Sequence, residues 1–298
     1  MLGGLAKSSA QRYAYAQSTF ASFCKEWEVC TVPCSTSTLA KYVVWLKHQK
    51  NLGPDAIRGQ VSAIRHLHSI NGFNLGAVED PRFKLVKKGV CKRVTGKDSR
   101  LPITHGILST MGEKSAGWSD FDQTLFMATA TLAYAGFFRI SELCVGGKTE
   151  DFGGVRLQDL DLKGEILTIH LRSSKTDVFR EGTKVAIKPW NTKPCPITAL
   201  RDYLMVRPGT EQSSPLLVLR NGEALKDRKF REMLKRKCNE GGWEGNFNGH
   251  SLRIGAATDA ARRGVPGHVI KILGRWRSDT FLRYIRLSGE DLAGFSSL

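Results

Sequence analysis

Two arginines, a histidine and a carboxylate stand in this 298-residue sequence where a fold alone has little use for them. Arg139 ends the uncharged run Ala130-Thr-Leu-Ala-Tyr-Ala-Gly-Phe-Phe138, and a guanidinium carried into apolar surroundings costs free energy unless an anion pairs with it. Glu142 lies three residues on, and taken alone the two read as a structural ion pair on one helix face. The second arginine occurs in Gly249-His-Ser-Leu-Arg-Ile-Gly-Ala-Ala257, where His250 and Arg253 are spaced i, i+3 and small residues behind them permit close backbone approach. Two guanidinium forks can hold the non-bridging oxygens of a phosphodiester with hydrogen bonds that strengthen as negative charge builds. A histidine beside them can shuttle a proton. Lys175, in the polar run Arg172-Ser-Ser-Lys-Thr-Asp177, is by itself a solvated turn lysine; reaching the same place, it is a mobile general acid for a leaving oxygen.

Other chemistries fit poorly. No two glycines are spaced i, i+2, which excludes GxGxxG, and Gly147-Lys-Thr149 has Glu142 where a phosphate loop needs its first glycine. Neither HExxH nor GxSxG occurs. Charge is more informative: 45 Lys and Arg against 28 Asp and Glu give +17, which points to a polyanionic partner. Residues 1–98 hold 15 basic and 6 acidic side chains (+9), leaving 30 and 22 (+8) for 99–298, so two domains that each touch the same polyanion are expected. A membrane is not an expected partner. The longest uncharged apolar-rich stretch, Leu125 to Phe138, is 14 residues, short of the roughly 18 that span a bilayer. The start, MLGGLAKSSAQRYAYA, lacks the sustained apolar core of a signal peptide, so the expectation is a protein that is not secreted. Seven cysteines, an odd number without paired zinc-finger spacing, suit free thiols rather than disulfides or a metal site.

The elements that must position these residues read as mainly helical with a small β-sheet. Phe20, Phe23, Cys24 and Trp27, and again Leu39, Tyr42, Val43 and Leu46, repeat at i, i+3, i+4, i+7, the spacing of an apolar helical stripe. A third helix follows the breaker cluster Asn51-Leu-Gly-Pro-Asp55, with Ile57, Val61, Ile64 and His68 on one face, and Asn71-Gly72 closes it. Residues 1–80 therefore form a helical domain, and 81–100, with eight basic residues against Asp98 alone, a basic linker. Residues 101–298 form a second, α+β domain: a buried helix at 121–135, strands at Ile166–Leu171 and Lys184–Ile187 making a hairpin, and helices from Pro196 onward.

The ordered motifs Gly136-Phe-Phe-Arg139-Ile-Ser-Glu142-Leu, Ser173-Ser-Lys175-Thr, His250-Ser-Leu-Arg253-Ile-Gly-Ala-Ala, Leu273-Gly-Arg-Trp276 and Tyr284-Ile-Arg resemble those of the tyrosine recombinase (phage integrase) family. They fall within 146 residues (284 minus 139, plus one), and the resemblance covers about 100–298. HSLRIGAATDAARRGV and the ending RYIR are most similar to Cre, and GRWRSDTFLRYIR to the recombinases of eukaryotic DIRS-type retrotransposons. The resemblance implies a helical core-binding (SAM-like) domain ahead of a catalytic domain, double-stranded DNA as partner, and a homotetramer working on two duplexes. It implies no metal or ATP, because arginines supply the charge. It also implies a nuclear protein if the source is a eukaryotic mobile element, and otherwise a cytoplasmic one. The nearest alternatives are a type IB topoisomerase-like relaxing enzyme and a DNA-binding protein without activity.

Carried over residue by residue, the resemblance makes Tyr284 the nucleophile that forms a 3′-phosphotyrosyl link. Arg139 and Arg253 would hold the phosphate, Lys175 would protonate the leaving 5′-oxygen, His250 would take or return the tyrosine proton, and Glu142 would orient the shell. One departure from the family pattern stands out. Its His or Trp lies nine residues before the nucleophile, a place taken here by Arg275, whereas Trp276 is eight before. A one-residue deletion in the Arg277–Asp279 turn would return Trp276 to that role as an indole N–H donor; Arg275 is the other candidate. Arg58, Arg65, Lys87, Lys88 and Arg275 are candidate DNA contacts, phosphate being the commoner fate of an exposed basic side chain.

Overall fold

A computed structural model describes residues 7–92, 99–113, 117–146, 154–172 and 182–296. The chain divides into two compact units, Met1–Lys97 and Asp98–Leu298.

The first unit is helical: α1 (Lys7–Glu26), α2 (Thr36–His48), α3 (Pro54–Ile70) and α4 (Pro81–Val90). Ser35 caps α2 by accepting from the Thr38 N–H, and the stripe Leu39, Tyr42, Val43 and Leu46 is fully buried against Phe20, Phe23, Ile57 and Ile64. His68, on the α3 stripe, is a core histidine with both ring nitrogens engaged: Nε2 accepts the Cys34 N–H at 2.9 Å and Nδ1 lies 2.9 Å from the Ile64 carbonyl. The stretch expected to be a linker from Pro81 onward is a helix through Val90. Composition misled here because Phe83, the one large aromatic among many lysines, is wholly buried, and Asp80 caps a helix whose first residue is proline.

The second unit is built around α6 (Asp120–Ala135), apolar on all sides and packed by α5 (His105–Met111), α8 (Pro196–Val206), α9 (Asp227–Glu240) and α10 (Ser251–Arg262). Its mid-helix hydroxyls are satisfied internally, Thr129 Oγ1 on the Leu125 carbonyl (2.8 Å) and Thr131 Oγ1 on that of Met127 (2.7 Å). Beside it, β1 (Leu160–Lys163), β2 (Ile166–Leu171) and β3 (Thr183–Ile187) form an antiparallel sheet in that order. The expected hairpin is β2 and β3, with Leu167 opposite Ile187, and alternate residues Leu167, Ile169 and Leu171 point into the core. The remaining elements among the described residues are the one-turn helix α7 (Ile140–Leu143), 3₁₀ turns at Leu157–Asp159 and Asp279–Tyr284, α11 (Gly267–Leu273) and α12 (Gly289–Ser296). The architecture is thus mainly α with a small sheet, as the sequence implies, and no described helix is long and apolar enough to cross a membrane.

Candidate active site

Three short stretches at helix ends converge in the second unit. The first is the turn Gly136–Arg139 between α6 and α7, which reverses through Phe137 in the left-handed region (φ 51°). It leaves Arg139 as the residue that caps α7 rather than one on its face. Glu142 folds back on it: Oε2 accepts the Arg139 N–H at 2.9 Å and Oε1 the Arg139 Nη1 at 2.6 Å. The carboxylate side chain is 4% exposed and the guanidinium side chain 16%.

The second stretch is the start of α10. His250 caps the helix, its own N–H donating to Asn248 Oδ1 at 2.9 Å, and Arg253 follows one turn later, with no exposed surface at all. Gly255 makes this possible: a β-carbon there would lie 1.7 Å from the Ile103 carbonyl oxygen. Without it, the extended segment 100–103 crosses directly over α10, and the Ile103 N–H bonds the Ser251 carbonyl at 2.9 Å.

The third stretch is the turn from Gly274 to Tyr284. Gly274 lets the indole of Trp276 fold back over the end of α11, where any β-carbon would meet the ring at 1.5 Å. The Gly274 carbonyl accepts from Arg253 Nη2. Trp276 then lies under the Arg253 guanidinium (4.4 Å to the ring centroid) and tilted against the Tyr284 ring (5.0 Å), and Tyr284 faces His250 at 6.2 Å. The structure thus brings Arg139, Glu142, His250, Arg253, Trp276 and Tyr284 together. Of the two candidates for the His/Trp position, Trp276 is the one against Arg253 and Tyr284. Lys175 lies outside the described residues.

The electrostatics are those of an anion cage. Arg139, Arg253 and Arg275 face one carboxylate. Burial would raise the Glu142 pKa, but Arg275, then Arg139 and Arg253, hold it below its ordinary value. Arg253 is pulled down by burial first and by the Arg139 charge second. His250 is lowered to about 4, by burial and then by Arg100, Arg253 and Arg139, so its imidazole is neutral at pH 7. Arg253 Nε and Nη1 and His250 Nδ1 are buried with no hydrogen-bond partner among the described residues. Buried donors of this kind cost about 1–3 kcal/mol each. An anion with several acceptor oxygens would satisfy them.

Sequence reasoning missed one contributor and did not place a second. Thr258, wholly buried on α10, donates Oγ1–H to the Tyr284 carbonyl at 3.2 Å and accepts the Arg286 N–H at 3.0 Å, gripping the tyrosine turn by its backbone. Arg275, expected as a DNA contact or at the His/Trp position, is turned inward: its side chain is 14% exposed and paired with Glu142. No local sequence signal distinguishes Thr258, and none shows that Arg275 turns toward Glu142.

Of the remaining candidate contacts, Arg58, Lys87 and Lys88 line a hollow of about 570 Å³ in the first unit with Lys84 and Lys92. Arg65 is not among the lining residues and sits 4.0 Å from Glu79.

Known proteins share the family and the fold. Residues 119–289 match the phage integrase family. An integrase/recombinase XerD homologue of Selenomonas ruminantium is 28% identical over 308 residues, 94% of this chain and 82% of the relative. Among solved structures, the Tn1549 transposon integrase in complex with circular intermediate DNA is 16% identical over 90% of this chain and 86% of its own, with a TM-score of 0.60. XerH recombinase bound to palindromic difH substrate shares 14% identity over 89% and 70%, TM-score 0.59. A lambda integrase dimer bound to a COC′ core site shares 15% over 91% and 88%, TM-score 0.58. At these identities the structural likeness is one of fold. With more than half of its length inside the family match, and the arginine, histidine, tryptophan and tyrosine motifs gathered at one place in the second unit, the chain belongs to the phage integrase family of tyrosine recombinases.

Proposed function

We propose that this protein is a site-specific DNA recombinase of mobile-element origin that cuts and rejoins DNA through a 3′-phosphotyrosyl intermediate on Tyr284. The observation that carries the reading is the pair of unpartnered Arg253 donors and the unpartnered His250 nitrogen, buried beside Tyr284 under an excess of guanidinium charge. Arg139 and Arg253 hold the non-bridging oxygens, and Trp276 adds an indole donor. The Tyr284 oxygen bonds to phosphorus as the phosphorus–O5′ bond breaks. The tyrosine proton passes to the neutral His250 imidazole, and Lys175 gives a proton to the departing 5′-oxygen. In the second half the 5′-hydroxyl of another strand attacks the phosphotyrosine and the protons return. The neighbours support DNA as substrate, since the Tn1549 integrase is solved with circular intermediate DNA, XerH with palindromic difH substrate and lambda integrase on a COC′ core site. A homotetramer on two duplexes completes the exchange, in the nucleus of a eukaryotic host or the cytoplasm of a bacterial one. The Lys- and Arg-lined hollow of the first unit grips the phosphate backbone.

The test is incubation of the full chain with negatively supercoiled plasmid in EDTA without ATP, followed by denaturation and detection of a protein–DNA adduct, with Tyr284→Phe alongside. An adduct in wild type alone, accompanied by joint molecules between plasmids, supports the reading. Relaxation without joint molecules indicates a topoisomerase, and an adduct that persists in Tyr284→Phe removes the assigned nucleophile.

A further inference from the structure

Arg275 is turned toward the interior of the second unit, its side chain 14% exposed and paired with Glu142. It follows the last turn of α11 with φ 56°, in the left-handed region that glycine adopts freely and a side chain with a β-carbon does not. Contacts made by the side chain must therefore offset backbone strain. Apart from a 3.4 Å contact of Nη1 with the Leu273 carbonyl at the surface, they run inward. Nη1 donates to the Gly136 carbonyl at 2.8 Å, and Nη2 to the Phe137 carbonyl at 3.2 Å and to Glu142 Oε2 at 2.9 Å. The guanidinium carbon lies 5.0 Å from the Phe138 ring centroid. Phe137 is itself in the left-handed region (φ 51°), in the turn whose carbonyls converge on one guanidinium.

The two segments joined in this way carry the two halves of the site. Gly136, Phe137 and Glu142 flank Arg139. Residue 275 precedes Trp276, whose indole lies between Arg253 and Tyr284. The contact spans 139 positions of sequence. We propose that Arg275 is a positioning residue: it fixes Glu142, and through Glu142 the guanidinium of Arg139, relative to the turn that carries Trp276 and Tyr284, without touching the phosphate. The inference rests on the enzymatic reading given above. Glu142 is shared between the two arginines, Oε1 taking Arg139 Nη1 and Oε2 taking both the Arg139 N–H and Arg275 Nη2. The charged groups that face it are Arg139 at the start of α7, Arg253 from α10 and Arg275, with His250 and Tyr284 beyond Arg253. Arg275 is the foremost of the cations that keep this carboxylate ionised against burial. Lysine could supply the charge but not the planar fork that spans two carbonyls and a carboxylate.

The experiment compares wild type, Arg275→Lys and Arg275→Gln in two measurements. The first is the rate of adduct formation on supercoiled plasmid as a function of pH. The second is the titration of Glu142 by NMR of ¹³C-glutamate-labelled protein, assigned with Glu142→Gln. Arg275→Gln is expected to lower the rate roughly tenfold to hundredfold, to move its acid limb and the Glu142 titration to higher pH, and to leave plasmid affinity unchanged. Arg275→Lys is expected to restore the acid limb and the Glu142 titration but only part of the rate. An Arg275→Gln protein that cleaves at the wild-type rate and pH dependence, however much its melting temperature falls, would overturn the inference, as would a loss of plasmid affinity matching the loss of rate. A Glu142 titration indifferent to residue 275 would overturn it while leaving the proposed function standing. No adduct from wild type on any plasmid, with the titration shifted as expected, would refute the enzymatic reading and the positioning role with it.

Discussion

Arg253→Met separates what Arg253 does for the fold from what it does for an anion. The wild-type guanidinium is fully buried, donates Nη2 to the Gly274 carbonyl and stacks against Trp276, and leaves Nε and Nη1 without partners among the described residues. Removing two unsatisfied buried donors returns about 2–6 kcal/mol at 1–3 kcal/mol each. Removing one charged hydrogen bond forfeits about 1.5–3 kcal/mol, and removing the stacked cation about 2 kcal/mol. Methionine fills comparable space flexibly, and Glu142 keeps Arg139 and Arg275 as partners. The terms nearly cancel, so the variant should melt within about 2 kcal/mol of wild type. That is within roughly 4–8 °C for a unit of this size, instead of the 3–5 kcal/mol lost when a buried ion pair is broken. Cleavage should nevertheless fall by about a hundredfold to a thousandfold, the scale of losing a transition-state donor. Inorganic phosphate should stabilise wild type, by about 2.7 kcal/mol at a hundred times its Kd, and the variant not at all. The measurements are thermal melts with and without phosphate, and the plasmid adduct assay. A variant destabilised by more than about 3 kcal/mol, or one that phosphate stabilises as well as wild type, would refute the view that these donors await an anion.

Three further outcomes are expected. Thr258→Val should slow adduct formation about tenfold with little change in plasmid affinity, because the Tyr284 carbonyl and the Arg286 N–H lose their shared hydroxyl while Thr258→Ser retains it; equal rates for the two variants would show the grip to be immaterial. His250 has its pKa depressed from 6.5 to about 4, so the unfolded chain binds the extra proton more readily, and the stability this residue contributes is present above pH 6.5 and lost as pH falls toward 4. Urea melts across that window should show the slope in wild type and a shallower one in His250→Gln. Replacing Lys87 and Lys88 in the first-unit hollow by Gln should weaken plasmid binding in proportion across sequences and reduce the dependence of log K on log salt by about 0.9 per lost phosphate contact; an unchanged salt slope would remove the hollow from the DNA interface.

What the amino-acid sequence displays by itself is whatever depends on near neighbours in the chain. The stripes of α2 and α3 and the β2–β3 pair are set by helical and strand periodicity, which four to eight residues suffice to display, whereas Arg139 and His250 meet their neighbours as helix caps. The ordered motifs carried the family and the catalytic candidates for the same reason, since each is a few residues long. Packing decided the rest. Whether 81–90 is a connector or a helix turned on where Phe83 could be buried. Whether Arg275 or Trp276 meets Tyr284 turned on a left-handed backbone after Gly274 and on two carbonyls of the Gly136–Arg139 turn, far away in sequence. Thr258 reads as an ordinary helix residue until the tyrosine turn lies across it. Periodicity records which face of an element is apolar; it holds no record of which distant backbone atoms will come to rest there, because those are chosen by the free energy of the whole packed unit.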